Sequence, residues 1–109
     1  MRMWMVDPKL LCRKHLLGEH VECHMFVGTF KRGTSLQGYL DNKLLEAHNL
    51  QARHDLLALE LKARGYKHKS PLDFVWDKTP MGTVNPATSL DDLKKRCSSC
   101  KKRIEDNRR

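Results

Sequence analysis

The most constraining stretch lies near the start of the chain, where Asp7 and Pro8 read as the N-cap and first residue of a helix and apolar residues recur from Leu10 to Phe26 before Gly28. The predicted helix covers residues 8–26. At 100° per residue, Cys12, His15, Glu19, Glu22 and Phe26 fall in one stripe of about 80°, because spacings of three and four return to the same side. Leu10, Leu17, Val21 and Met25 lie opposite, and Leu11 and Leu16 flank the stripe. A helix apolar around so much of its circumference has to run through the centre of its domain, with the rest of the chain wrapped around it.

With 109 residues there is enough chain for one domain, residues 1–109, and a small core. GTFKRGTSLQGYLDN, with three glycines, reads as a loop with a turn of helix near its end. Leucines from Leu44 to Leu61 mark one long or two abutting helices over residues 43–65, closed by Gly65. Residues 66–88 hold Pro71, Pro80, Gly82 and Pro86 and read as an irregular segment pinned by Leu72, Phe74, Val75 and Trp76. Ser89 and Asp92 resemble a capping signal for a C-terminal helix through LDDLKKRCSSCKKRIED. The expected fold is all-α, a compact single domain of about three main helices with long irregular connections.

The charge balance, 21 Lys+Arg against 13 Asp+Glu for a net +8, favours anionic partners, nucleic acid before membrane surface. Two short basic runs, Lys31 and Arg32, then Lys101, Lys102 and Arg103, are candidates for phosphate contacts, against the alternative of solvated surface charge. No run approaches the roughly 20 apolar residues of a spanning helix, and the first residues lack the zones of a secretory signal, so a soluble, cytoplasmic protein is expected. In that reducing setting the four cysteines are thiols or metal ligands in preference to disulfides. Cys12 with His15 forms a CxxH and Cys97 with Cys100 a CxxC, together the ligand set of a tetrahedral zinc site. In the alternative reading, Cys12 and Cys23 are small packed residues and Cys97 and Cys100 help to dock the last helix. His20 and His24, four apart, can also share a metal, whereas His48, His54 and His68 show no spacing tied to chemistry.

For the stripe itself two readings stand. A solvated face would pair His15 with Glu19 at i, i+4. A partly desolvated face would raise a glutamate's pKa toward neutrality and make a proton-transfer site.

The order of MR at the start, HLLGEHVE, the basic glycine-rich loop, RHDLLALELKARGY and SLDDLKKRCSSCKKRI resembles the pyrimidine dimer DNA glycosylase family, the phage-type endonuclease V, closely over residues 1–67 and loosely over residues 68–109. The resemblance implies a mostly helical, monomeric DNA-repair enzyme acting on double-stranded DNA with no required cofactor and no catalytic metal. In that family an N-terminal α-amine attacks the anomeric carbon of the sugar, the base leaves, and the resulting Schiff base permits strand cleavage by β-elimination. Aligned on HLLGEHVE, the essential glutamate falls on Glu22, the active-site histidine on His15, the second-position arginine on Arg2, and the amine on Met1. Arg2 is too large for ordinary methionine removal, so Met1 is expected to keep the chain's amine.

The chemistry is sound on its own terms. An α-amine titrates at about 7.7–8.0 against about 10.4 for a lysine, so far more of it is free nucleophile at neutral pH. Arg2 would hold a phosphate, and Glu22 would stabilise the oxocarbenium-like sugar and move protons. If His15 bound zinc, it could not serve as the family's active-site histidine. Two arginines with which phage-type members grip damaged DNA align with Val21 and Met25, and their aromatic-rich C-terminal end is replaced by the cysteine pair and a basic tail. Trp4 offers either a stacking surface or a core side chain. The alternatives to an enzyme are a non-catalytic DNA-binding module and a zinc-stabilised nucleic-acid adaptor of the same fold.

Overall fold

Asp7 caps a single turn in place of the central helix. The computed structural model describes residues 1–67, 70–77 and 79–107; His68 lies outside the described residues. The Asp7 side chain accepts the Lys9 N–H at 3.0 Å and starts a 3-10 turn, Pro8–Leu10. The backbone is then extended at Leu11 and Cys12, and helix α1, Arg13–Lys31, begins with Cys12 as its N-cap. The expected helix over residues 8–26 is therefore displaced at both ends. Gly28 does not stop it, because a helix-interior glycine costs only about 1 kcal/mol. Past it, Phe30 packs edge-on against Phe74 and Trp76, at 5.5 and 5.2 Å between ring centroids. The chain turns at Gly33, whose φ of +73° suits glycine.

A short helix α2, Gln37–Asp41, follows, then a 3-10 turn, Ala47–Asn49, and helix α3, Leu50–Ala63, so the helix expected from residue 43 starts later. Gly65, at φ +89°, ends α3 as expected. The expected cap at Ser89 is corrected: Asn85 accepts the Ala87 and Thr88 N–H groups, Pro86 takes the first helical position, and Ser89 is buried inside helix α4, Pro86–Arg96. The expected single C-terminal helix breaks at Cys97 into α4 and helix α5, Ser98–Asp106. Among the described residues the fold is all-α, and no helix is long and apolar enough to cross a membrane.

No regular element occurs among the described residues between α3 and α4. Phe74 is buried and stacks on Trp76, but Val75 is 90% exposed and takes no part in the expected cluster. The segment is tied to the turn before α3: the Met81 N–H donates to His48 Nδ1, the Val84 N–H to the Glu46 carboxylate and the Ala47 N–H to the Met81 carbonyl. Gly82 has φ +92°, and a Cβ there would run into the Leu45 carbonyl.

Helix α1 does pass through the core, as its largely apolar circumference implies, but not all of its apolar residues turn inward. Leu16, Glu19, His20, Cys23, Phe26 and Val27 are buried, while Val21 is 51% and Met25 48% exposed. The stripe containing a glutamate faces the core because α3 supplies a cation to meet it. Glu19, with no exposure, accepts two hydrogen bonds from Arg53, itself 4% exposed, from Nε at 2.6 Å and Nη2 at 2.9 Å. The expected solvated pairing of Glu19 with His15 is thereby replaced by a buried, bidentate pair.

Candidate active site at the chain's beginning

The first eleven residues are clamped to the helices by their own carbonyl groups. Arg53 donates from Nη1 to the Val6 carbonyl at 2.6 Å, so the guanidinium that neutralises Glu19 also ties the N-terminal segment to α1. Arg64, ion-paired with Glu60 at 2.7 Å, reaches the Pro8 and Leu11 carbonyls at 3.1 and 2.8 Å. Arg103 of α5 reaches Lys9, and the Met3 N–H donates to the Leu44 carbonyl. Met3 and Val6 anchor the segment in the core. A chain end, ordinarily the least ordered part of a domain, is held here by charge-assisted hydrogen bonds on backbone acceptors.

The outcome is a cleft of about 320 Å³ lined by Met1, Arg2 and Trp4 from the segment and by Lys14, His15, Gly18, Glu19 and Glu22 from α1. Met1, Arg2, His15 and Glu22 are thus brought to one place. The half-buried Glu22 carboxyl is raised above its usual range, chiefly by burial. The terminal ammonium, the Arg2 backbone N–H that it accepts and the Arg2 charge pull it down, and the Glu19 charge pushes it up. His15 is lowered by burial and then by the Lys14 charge, so its imidazole is neutral at pH 7.

Arg2 lies with its guanidinium carbon 3.7 Å from the Trp4 ring centroid, a cation–π contact, and extends Nη1 to Asp92 at 3.3 Å and Nη2 to Ser89 at 3.4 Å. Its Nε is buried without a hydrogen-bond partner among the described residues. Trp4 is nearly buried and meets the His15 ring edge-on at 5.6 Å. It is a core residue that also walls the cleft.

The expected phosphate contacts are not gathered there. Lys31 and Arg32 are exposed at the C-terminal end of α1, Lys31 donating to the Asp73 carbonyl and Arg32 to Thr29. Lys101 and Lys102 are exposed on α5, which packs against the turn before α1, while Arg103 is engaged with Lys9. The two basic runs lie toward opposite ends of α1, a helix about 28 Å long.

Two cleft residues escape a reading of the sequence, Lys14 and Gly18. The available signal is the spacing of four from Lys14 to Gly18 and of four again from Gly18 to Glu22, which puts all three on one face. Lys14 adds a cation, and a Cβ at Gly18 would meet nothing within 4 Å. Gly18→Ala is therefore expected to stabilise the chain by about 0.5–1 kcal/mol through helix propensity. Gly18→Phe should fill the cleft without unfolding the protein, which thermal denaturation of both variants checks.

Two clusters bring metal-ligating atoms together. The donor atoms of Cys12, His15, Cys97 and Cys100 all lie within 4.8 Å of one another, as do those of His20, His24 and His54. In the second cluster His24 and His54 both direct Nε2 at the Ser70 carbonyl, at 3.0 and 3.1 Å, which uses those nitrogens as N–H donors. Cys23 is enclosed in the core and burial drives its thiol far up, leaving it inert.

A family model described as pyrimidine dimer DNA glycosylase matches residues 1–74, a span that includes every residue lining the cleft. No curated protein matches the chain, and no solved structure does. With two thirds of its length matched, including the clamped N-terminal segment and both long helices that hold it, the chain belongs to the pyrimidine dimer DNA glycosylase family.

Proposed function

We propose that the chain is a DNA N-glycosylase with associated AP lyase activity, acting at pyrimidine dimers in double-stranded DNA through the amine of Met1. The observation that carries this reading is the meeting of the terminal ammonium, the Arg2 N–H and the Glu22 carboxyl in one cleft. The Glu22 carboxylate takes a proton from the ammonium, freeing the nucleophile. The amine then attacks the anomeric carbon of the damaged nucleotide as the glycosidic bond breaks and the electron pair leaves with the base. The Glu22 carboxyl passes that proton to the departing base, and the carboxylate so restored stabilises the cation developing at the sugar. The ring oxygen then leaves that carbon, taking a proton from the attached nitrogen, and the protonated Schiff base forms. The Glu22 carboxylate removes a proton from the adjacent sugar carbon, which expels the 3′ phosphate, and water hydrolyses the Schiff base to release the amine. Arg2 and Lys14, both lining the cleft, supply positive charge for the flanking phosphates. The extruded nucleotide is cheapest to obtain at a damaged, poorly stacked step.

The exposed apolar pair Val21 and Met25 sits beside Glu22, at the positions that align with the arginines of phage-type members. The grip on DNA accordingly falls to other cations. Introducing Val21→Arg and Met25→Arg together is expected to steepen the dependence of log affinity on log salt by about 2, since each new phosphate contact contributes about 0.9. A titration of duplex binding across salt concentrations reads this directly.

The competing reading, a DNA-binding module without catalysis, shares the charge but makes no use of the amine. Assays on duplexes with a cyclobutane dimer, with an abasic site and without damage separate the two. The untagged chain should nick the first two, and extending the N-terminus by a short tag should abolish nicking while duplex binding persists. Nicking undiminished by the tag, or no nicking of either damaged duplex, would refute the proposal.

A further inference from the structure

We propose that Cys12, His15, Cys97 and Cys100 bind one zinc ion that staples the C-terminal helix pair to the start of α1. Cys12 is the N-cap of α1 and His15 lies three residues on; Cys97 is the N-cap of α5 and Cys100 lies three residues on. N-cap and third helical residue project to the same side of a helix start. Two such starts therefore face each other and offer two ligands each. The Cys12 and Cys97 sulfurs are 3.8 Å apart, and His15 Nδ1 lies 3.3 Å from the Cys12 sulfur and 3.5 Å from that of Cys100. A tetrahedral ion with Zn–S bonds of about 2.3 Å and a Zn–N bond of about 2.0–2.1 Å separates its sulfurs by about 3.8 Å and sulfur from nitrogen by about 3.6 Å.

The donor set fits that ion. Three thiols and an imidazole favour zinc over hard cations, and four protein ligands leave no position open for substrate, which marks a structural site. On binding, the three thiols give up their protons and His15 offers its neutral Nδ1. The outer ring is already in place. The Cys12 N–H donates to the Cys100 sulfur at 3.2 Å and the Cys100 N–H to the Cys97 sulfur at 3.4 Å, bonds that stabilise thiolates.

The staple also reaches the cleft. It fixes α4, whose Asp92 and Ser89 hold Arg2, and it fixes the His15 ring against Trp4, on whose face Arg2 lies. His15 is then a positioning residue in place of a proton-transfer group. Residues 1–74 end before α4, so half of the site lies outside the matched segment.

The test uses the full, untagged chain, prepared under reducing conditions without chelators, and does not depend on base excision. Elemental analysis should give about one zinc per chain, and a strong chelator should lower Tm by about 10 °C or more. Exchange with cobalt(II) should give the visible bands of a tetrahedral ion together with intense near-ultraviolet absorption from thiolate ligands. Cys97→Ser with Cys100→Ser should abolish both; the spectrum of the native chain keeps the test decisive if that variant does not fold. Zinc well below one per chain after incubation with equimolar zinc overturns the proposal, as does a Tm indifferent to chelation. Bound cobalt without thiolate absorption would assign the metal to the histidine cluster and overturn it equally.

Discussion

Glu22→Gln is expected to slow base excision by about a thousandfold, the middle of the range for losing a positioned proton-transfer group, while duplex binding is retained. The substitution keeps the shape and the capacity to accept the Arg2 N–H but removes the charge that faces the amine and the developing sugar cation. Its effect on stability has the opposite sign. Because burial raises the folded carboxyl above its unfolded value, the folded chain holds this proton more tightly than the unfolded chain does. Stability from this group is therefore present below the ordinary carboxylate pKa of about 4.3 and declines as pH rises toward the raised folded value. Above that window the neutral amide carries no such penalty, so the variant should match or exceed the native Tm at neutral pH and lose that advantage in acid. An inactive variant less stable than the native chain at neutral pH would show that Glu22 serves the fold. Single-turnover excision and thermal denaturation across pH separate the two.

Arg53→Ala is expected to cost about 3–5 kcal/mol, because it leaves the fully buried Glu19 carboxylate without its partner and also frees the Val6 carbonyl. Replacing both members, Glu19→Met with Arg53→Leu, should recover much of that loss, since apolar residues often substitute for a buried pair at little cost. Excision should not recover with it, because the N-terminal segment would lack its tie at Val6. Urea denaturation and the excision assay on the two variants check both expectations. A loss below about 1 kcal/mol for Arg53→Ala would mean that Glu19 is not the desolvated charge described here.

The Glu19–Arg53 pair also marks where the sequence stops being informative. Periodicity correctly puts Cys12, His15, Glu19, Glu22 and Phe26 on one side of α1, and helical class, the capping by Asp7 and the stop at Gly65 follow from local chemistry. Which side faces inward is not local: it depends on an arginine 34 positions further on, and the apolar Val21 and Met25 are exposed. The same reason explains the ends. Gly28 stays helical because Phe30 finds Phe74 and Trp76, a contact across the irregular segment. Asn85 with Pro86 offers a cap as legible as Ser89 with Asp92, and only the burial of Ser89 beside Arg2 decides between them. The break at Cys97 follows from an N-cap at a residue whose type rarely caps helices. The cleft is legible only in part. Met1, Arg2, His15 and Glu22 come from the resemblance, whereas Lys14 and Gly18 need the segment to be laid over α1 before their spacing acquires meaning.

Everything in the proposed chemistry turns on which nitrogen attacks the sugar, and the cleft contains two amines, that of Met1 and that of Lys14. Borohydride reduction during reaction with abasic duplex DNA freezes the Schiff base as a stable amine, and mass analysis after proteolysis identifies the peptide that carries the sugar. The adduct is expected on the N-terminal peptide, on the α-nitrogen of Met1, and should disappear when that nitrogen is acetylated. An adduct on the peptide containing Lys14, or none at all, would contradict the assignment of Met1 as the nucleophile.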